Sequence, residues 1–374
     1  MLVGAQFLIT IFIFISAIIL SRQVSYFLEK DLGYDRSHVL LISSLPRLWN
    51  EEGFRKMEAA RQQFLQFERI EEASLSWGAP AWSMVPSNGK ISRPGQPAEE
   101  GISAAITSAD GEYLKVYGLQ LLEGYFLDTE NDFGNSLVIN ETARKQMNAK
   151  VGDRVNIEQF GEVEFTITGV LRDFNFESLH EKVRPIAIMH NRDFGAYRCF
   201  SLKLKPGSVS ASLSEAEQLW KKIFPHDPFN YTFMDESVKE LYATELQLKK
   251  ASSISTMLML VIVMTGILGM VSLSVSRREK EIGIRKVLGA SISNILMLLS
   301  REYAVLITIA FLIAIPVAYY FGTFWLQHFA YSIELSWWMF ALPGGTLFCL
   351  TLLVVNMRSL KAALANPVKS LRSE

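Results

Sequence analysis

Residues 251–276 read ASSISTMLMLVIVMTGILGMVSLSVS, 26 consecutive positions without a charged side chain. A helix needs about 20 apolar residues to cross a hydrocarbon core about 30 Å thick, so this run predicts a membrane span. Three further runs match it. Residues 2–20 and 335–357 carry no charge, and residues 303–333 carry none beyond His328. Buried core helices of a water-soluble protein are the competing reading, but four runs of this length favour the bilayer. The predicted fold class is integral membrane α-helical, with four transmembrane helices and a large α+β domain inserted between helices 1 and 2.

Working outward from these runs, the whole chain of 374 residues is 49% apolar and 20% charged, with a net charge of −1 and two cysteines. The mean hydropathy is +0.19, which the four runs explain. A near-zero net charge argues against a nucleic-acid partner, and two cysteines cannot form a disulfide scaffold. The first run lacks a basic leader, and no small-x-small cleavage site precedes Arg22. It therefore reads as an uncleaved helix and not as a signal peptide.

Short basic loops favour the cytoplasm. Residues 277–293 hold Arg277, Arg278, Lys280, Arg285 and Lys286, and the tail holds Arg358, Lys361, Lys369 and Arg372. The connection at 329–336 holds no lysine or arginine. Both basic segments are thus predicted to be cytoplasmic, together with the N-terminus. Trp325, Tyr331, Trp337 and Trp338 then gather at the outer interface, where amphipathic rings prefer to sit. The expected map is a span at 1–21, an extracytoplasmic domain at 22–250 ending in a stalk at 235–250, and a second span at 251–276. A cytoplasmic segment at 277–293, a third span at 294–327, a short outer loop at 328–334, a fourth span at 335–357 and a tail at 358–374 complete it.

The outer domain has ordinary globular composition. Residues 52–70 place Met57, Ala60, Phe64 and Phe67 on one helical face. Residues 163–170 and 199–204 alternate like half-buried strands. After the second of these, a helix around 213–223 and a strand at 231–234 suggest a βαβ unit. Residues 87–97, rich in Pro, Gly and Ser, read as an exposed loop. The stalk is expected to be helical and to run without a break into the second span.

Signatures of an enzyme are absent from the sequence. Gly89-Lys90 lacks the upstream glycine of a phosphate-binding loop, and no glycines are spaced G-x-G. His180-Glu181 begins like a zinc-protease motif, but Arg184 stands where the second histidine belongs. No catalytic residue and no metal site are predicted. Cys199 and Cys349 fall in different parts of the chain and read as packing residues.

Residues 276–291 read SRREKEIGIRKVLGAS. Ile282, Val287 and Leu288 give a small apolar surface on a highly charged segment, Gly289 fits a helix C-cap, and Ser291 can start the next helix. Such a segment can anchor basic side chains at the headgroups, or it can dock into a cytosolic partner. Residue chemistry leaves both readings open.

The run EIGIRKVLGAS at 281–291, following the second of four spans, resembles the signature of the MacB/FtsX-like ABC-transporter permeases. Residues 31–34 (DLGY), 174–180 (FNFESLH), 228–236 (PFNYTFMDE), 313–320 (IAIPVAYY) and 366–372 (NPVKSLR) are similar to the branch common in Bacteroidota. The resemblance covers essentially the whole chain. It implies that Glu279, Glu281, Ile282, Gly283, Ile284, Arg285, Lys286, Leu288 and Gly289 contact a separate cytosolic P-loop ATPase subunit. ATP and magnesium would be held by that partner, and this chain would bind no cofactor itself. The expected location is the inner membrane with the large domain in the periplasm.

The implied mechanism is mechanotransmission, in which ATP-driven closure of two cytosolic subunits tilts the membrane helices and the stalk relays the movement outward. Many permeases of the branch carry two such units in one polypeptide. The resemblance therefore implies a second permease unit, either the other half of a longer chain or a dimer partner. Thr265, Gly269, Ser272 and Ser276 form a small-residue stripe that could receive another helix closely. Apart from His328 near the outer end of the third span and the interfacial Arg301 and Glu302 near its inner end, the spans hold no ionisable residue, which weakens an ion-coupled reading. Export, extraction or detoxification of an extracytoplasmic substrate is expected, with a periplasmic adaptor or outer-membrane protein as a further partner. The alternatives are a non-transporting regulator that activates a partner such as a cell-wall hydrolase, and an ATPase-independent membrane-anchored binding or sensor protein.

Overall fold

The computed structural model describes residues 2–82, 87–127, 134–278, 281, 284–285 and 291–364. The chain divides into two compact units, one formed by residues 28–242 and the other by residues 1–27 with 243–374.

The membrane unit is built on four helices: α1 (Leu2–Glu29), α8 (Ala243–Arg277), α9 (Ile292–Leu326) and α10 (Trp338–Leu364). All four are long and apolar enough to cross a bilayer. They run past the apolar stretches that reveal them, because backbone hydrogen bonding continues into polar flanks that hydropathy does not count. Phe7, Ile11, Ile15 and Ile19 recur every four residues on α1 and are buried. Val263, Ile267 and Val271 on α8, with Ala310, Ala314 and Ala318 on α9, line the same core. Residues four apart share a helix face, so each helix buries one stripe and leaves the rest toward lipid. Pro316 and Pro343 lie inside α9 and α10 without ending either helix.

Two contacts lock this bundle. A Cβ built on Gly344 would lie 2.2 Å from Phe311 Cε2, so glycine lets α9 and α10 approach. Gln23, fully buried on α1, donates from Nε2 to the Tyr331 carbonyl at 2.9 Å and accepts from the Ile333 amide at 2.9 Å. One side chain thereby bonds two backbone groups of the α9–α10 connection, Tyr331 and Ile333, both half-buried.

The outer unit holds eleven strands among the described residues: β1 (Val39–Ile42), β2 (Ile70–Ser76), β3 (Ser87–Ser92), β4 (Ile102–Ala109), β5 (Leu121–Gly124), β6 (Ser136–Asn140), β7 (Arg154–Ile157), β8 (Glu164–Leu171), β9 (Ile186–His190), β10 (Cys199–Leu204) and β11 (Tyr231–Phe233). They pair in the order β11-β1-β10-β2-β4-β3-β7-β8-β6-β9, with β5 on β8. β9 returns to pair in parallel with β4, Ala105 opposite Ile186, so β4-β3-β7-β8-β6-β9 closes on itself as a six-stranded barrel. Ile106, Leu137, Ile139, Val155, Phe165 and Ile167 are among the residues of its apolar core. Closure leaves these strands no free edge.

The remaining four strands form a lobe with its own core. β1 is antiparallel to both β10 and β11, so the latter two run in the same direction with β1 between them. Helix α6 (Val209–Ile223) connects them, giving a split βαβ unit. Helix α2 (Glu51–Leu65) is capped by Asn50, whose side chain accepts from the Gly53 amide, and it buries Met57, Ala60 and Phe64. The helix stops at Leu65, short of the limit at residue 70 read from periodicity, because Ile70 already pairs with Leu204 in the sheet. Phe67 still packs on the same core from the turn.

Two expectations are corrected here. Residues 87–92 are strand β3 and not an exposed loop, since Ile91 pairs with Ile102 on one side and Ile157 on the other. Tertiary pairing overrides the turn-like composition of SNGKIS. The predicted stalk is interrupted: α7 (Met234–Leu241) ends at Tyr242, whose φ of −112° and ψ of 24° leave the helical region, and α8 starts afresh at Ala243. Tyr242 is fully buried and its hydroxyl accepts from the Leu179 amide at 3.0 Å, which holds the chain at that break.

Candidate functional site

The segment between α8 and α9 is built from the two helix ends inward. Arg277 closes α8, and the amide of Arg278 is still hydrogen-bonded to the carbonyls of Ser274 and Val275. Ser291 opens α9, its side chain accepting from the Asn294 amide. Of the residues expected to contact an ATPase, Glu281, Ile284 and Arg285 are described. Arg285 pairs with Glu281 at 2.8 Å, one helical turn apart, and both side chains are about half exposed. Ile284 is 52% exposed, an apolar side chain offered outward. Glu279, Ile282, Gly283, Lys286, Leu288 and Gly289 lie outside the described residues.

The structure adds a partner that spacing did not reveal. Arg278 donates through Nη2 to Glu302 Oε1 at 2.8 Å, joining the start of the segment to the first turns of α9. Ser300 on α9 also donates to Asn356 Oδ1 on α10 at 3.1 Å. Residues 278 and 302 are far apart in sequence and share no helix face, so no local pattern could have found this pair. The one available signal was a glutamate at the edge of an apolar run.

The small-residue stripe points away from the chain's own core. Thr265, Gly269, Ser272 and Ser276 are exposed, and no atom lies within 4 Å of a Cβ built on Gly269. The Thr265 hydroxyl donates to the Ile262 carbonyl of its own helix at 2.9 Å. Close approach on α8 occurs instead at Gly266, whose Cβ position is 3.0 Å from Gln6 Oε1.

Among the described residues no cluster of three His, Cys, Asp or Glu is placed to hold a metal ion. Ser178 bonds His180 Nδ1 at 2.5 Å, and Arg184 forms a bidentate pair with Glu177 at 2.6 and 2.7 Å. Cys199 is buried, its thiol pushed up to about 12 by desolvation, while Cys349 is exposed on α10.

Four helices long and apolar enough to cross a bilayer, with an α+β domain inserted after the first, define an integral membrane protein. The family model for the MacB-like periplasmic core domain matches residues 8–218, more than half of the chain, and that for the FtsX-like permease C-terminal matches residues 253–367. The chain thus belongs to the MacB/FtsX-like family of ABC-transporter permeases. The macrolide export ATP-binding/permease protein MacB of Escherichia coli is 23% identical over 286 residues, which are 72% of this chain and 44% of that protein. The protein of the same name in strain K12 is 25% identical over 209 residues, 52% of this chain and 32% of that one. The chain therefore spans less than half the length of the curated relatives it matches. Similar solved structures include the periplasmic region of MacB from Actinobacillus actinomycetemcomitans, with 16% identity and a TM-score of 0.39 over 57% of this chain and 97% of that one. The extracellular domain of the ABC-type transporter YknZ from Gram-positive bacteria shows 13% identity and a TM-score of 0.36 over 52% and 98%.

Proposed function

We propose that this chain is a permease unit that converts ATP hydrolysis by a separate cytosolic ATPase into movement of its outer domain, for export, extraction or detoxification of an extracytoplasmic substrate. The observation that carries the reading is the Arg278–Glu302 pair, which ties the outgoing end of α8 to the incoming end of α9 beside the segment at 279–289. A push on that segment would load two helices of 35 residues each, about 50 Å long by helical rise. Both are longer than the bilayer core, so each could carry displacement beyond it.

In this reading the basic segment and both termini are cytoplasmic, the membrane is the inner membrane and the outer domain is periplasmic. The loop charges support that orientation. Exposed Ile284, beside the Glu281–Arg285 pair, would dock into the ATPase, which would hold ATP and magnesium. The exposed stripe on α8 is available to a second permease unit. A periplasmic adaptor or outer-membrane protein would complete an export route.

The test is a gentle-detergent pull-down of the native protein and of an Ile284→Asp, Arg285→Glu variant, read by mass spectrometry. The expected result is a P-loop ATPase retained by the native protein and lost by the variant. Retention by neither, with the bait folded, would overturn the coupling assignment.

A further inference from the structure

We infer that a cavity of about 520 Å³ in the outer domain is a binding site for a zwitterionic ligand of the amino-acid or short-peptide class, Asp110 receiving its ammonium group and Arg192 its carboxylate. The cavity is walled by α2, the turn after β4, the stretch following β5 and the turn after β9. Its volume falls in the range of roughly 300–1,000 Å³ typical of small-molecule sites.

The charged groups sort into two kinds. Glu58 and Arg61 satisfy each other through two hydrogen bonds of 2.5 and 3.0 Å, and Glu112 and Lys115 pair at 2.8 Å. Among the described residues Asp110 and Arg192 make no contact ion pair; at longer range Asp110 feels Arg61, and Arg192 is among the groups that lower the Glu58 carboxyl. Asp110 is only 8% exposed, and its oxygens each accept one hydrogen bond, from Ser74 Oγ at 2.6 Å and the Leu75 amide at 2.7 Å. A carboxylate has about four acceptor positions, so capacity remains for a further donor. Burial raises its pKa to about 6, against the opposing hydrogen bonds of Leu75 and Ser74 and the charge of Arg61.

Arg192 is exposed, and a guanidinium can bind a carboxylate through two parallel hydrogen bonds. Phe54, Leu114, Leu121 and Phe126 add apolar wall for a ligand side chain. A simple cation would also meet Arg61 and Lys115, and a simple anion would meet Glu58 and Glu112. A ligand carrying both charges answers the two groups that stand outside the contact ion pairs. The proposal is independent of ATPase coupling, because binding is read without ATP.

The experiment is calorimetric titration of the full chain in nanodiscs with the dipeptide phenylalanyl-leucine, its N-acetylated form and its C-amidated form. Saturable binding of the free dipeptide is expected, weakened about tenfold or more by blocking either end, as for loss of a charge-assisted hydrogen bond. Asp110→Asn should weaken the free dipeptide by a similar factor while leaving the N-acetylated form unchanged. Arg192→Gln should do the same with the C-amidated form, and as an exposed substitution it keeps the test available should Asp110→Asn fail to fold. Absence of saturable binding to folded protein, or equal binding of free and blocked dipeptides, would overturn the proposal.

Discussion

Gly344 and Gly269 show how one residue type can play opposite roles on neighbouring helices. A methyl at Gly344 must displace the Phe311 ring, whereas one at Gly269 meets nothing within 4 Å. Gly344→Ala is expected to destabilise the bundle by about 1–3 kcal/mol, as overpacking does, and Gly269→Ala to leave the single unit unchanged. Thermal unfolding in detergent measures both. Asp110 carries the pH prediction. Its folded pKa of about 6 lies above the ordinary 3.8, so the folded state prefers the neutral acid. Its stabilising contribution is full below the ordinary value and is lost as pH rises through about 6. The groups facing it are Arg61, which opposes the shift, and Glu58, which adds to it. Urea denaturation of the outer domain, followed by tryptophan fluorescence, should show stability falling by roughly 2–3 kcal/mol over that window. Asp110→Asn should flatten the profile.

Among the elements, α8 and α9 depend on a contact worth little by itself. Arg278–Glu302 is a partly exposed pair, and such pairs contribute about 0–1 kcal/mol. Glu302→Gln should therefore leave the melting temperature nearly unchanged. If the pair transmits force, the same variant should lower ATPase stimulation by the permease, and the exchange Arg278→Glu with Glu302→Arg should recover it. A loss of stimulation not recovered by the exchange would assign the effect to another contact. Strand β3 teaches a related lesson. Its SNGKIS sequence has turn-forming residues, yet two neighbouring strands hydrogen-bond it into the barrel. Helices α2 and α6 were legible because their buried faces repeat locally. Strand β3 was not, because its partners lie elsewhere in the chain.

At the scale of the whole molecule, the outer unit narrows where its open sheet meets its barrel: β2 and β4 share the single pair Ser76–Ala109. Side chains reinforce this junction. Asn191 donates to the Leu75 carbonyl at 2.7 Å and accepts from Ser108 at 2.8 Å, and Asp110 holds Ser74 and Leu75 from the β4 side. Asn191→Ala would remove the bonds to Leu75 and Ser108 while the Leu75 carbonyl keeps the Asp110 amide at 3.0 Å, at a cost of about 1 kcal/mol per bond lost. Hydrogen exchange should then quicken at the ends of β2 and β4 while the barrel interior stays protected. The sequence by itself determined the four spans, the inserted domain and the charged segment between the second and third spans, since run length, residue spacing and loop charge are properties of neighbouring residues. Only the tertiary structure decided the closure of the barrel through β4 and β9, the break at Tyr242, the grip of Gln23 and the shared cavity of Asp110 and Arg192. Each of these joins groups distant along the chain, or is fixed by such a contact, and their fit depends on packing in three dimensions that no local periodicity records.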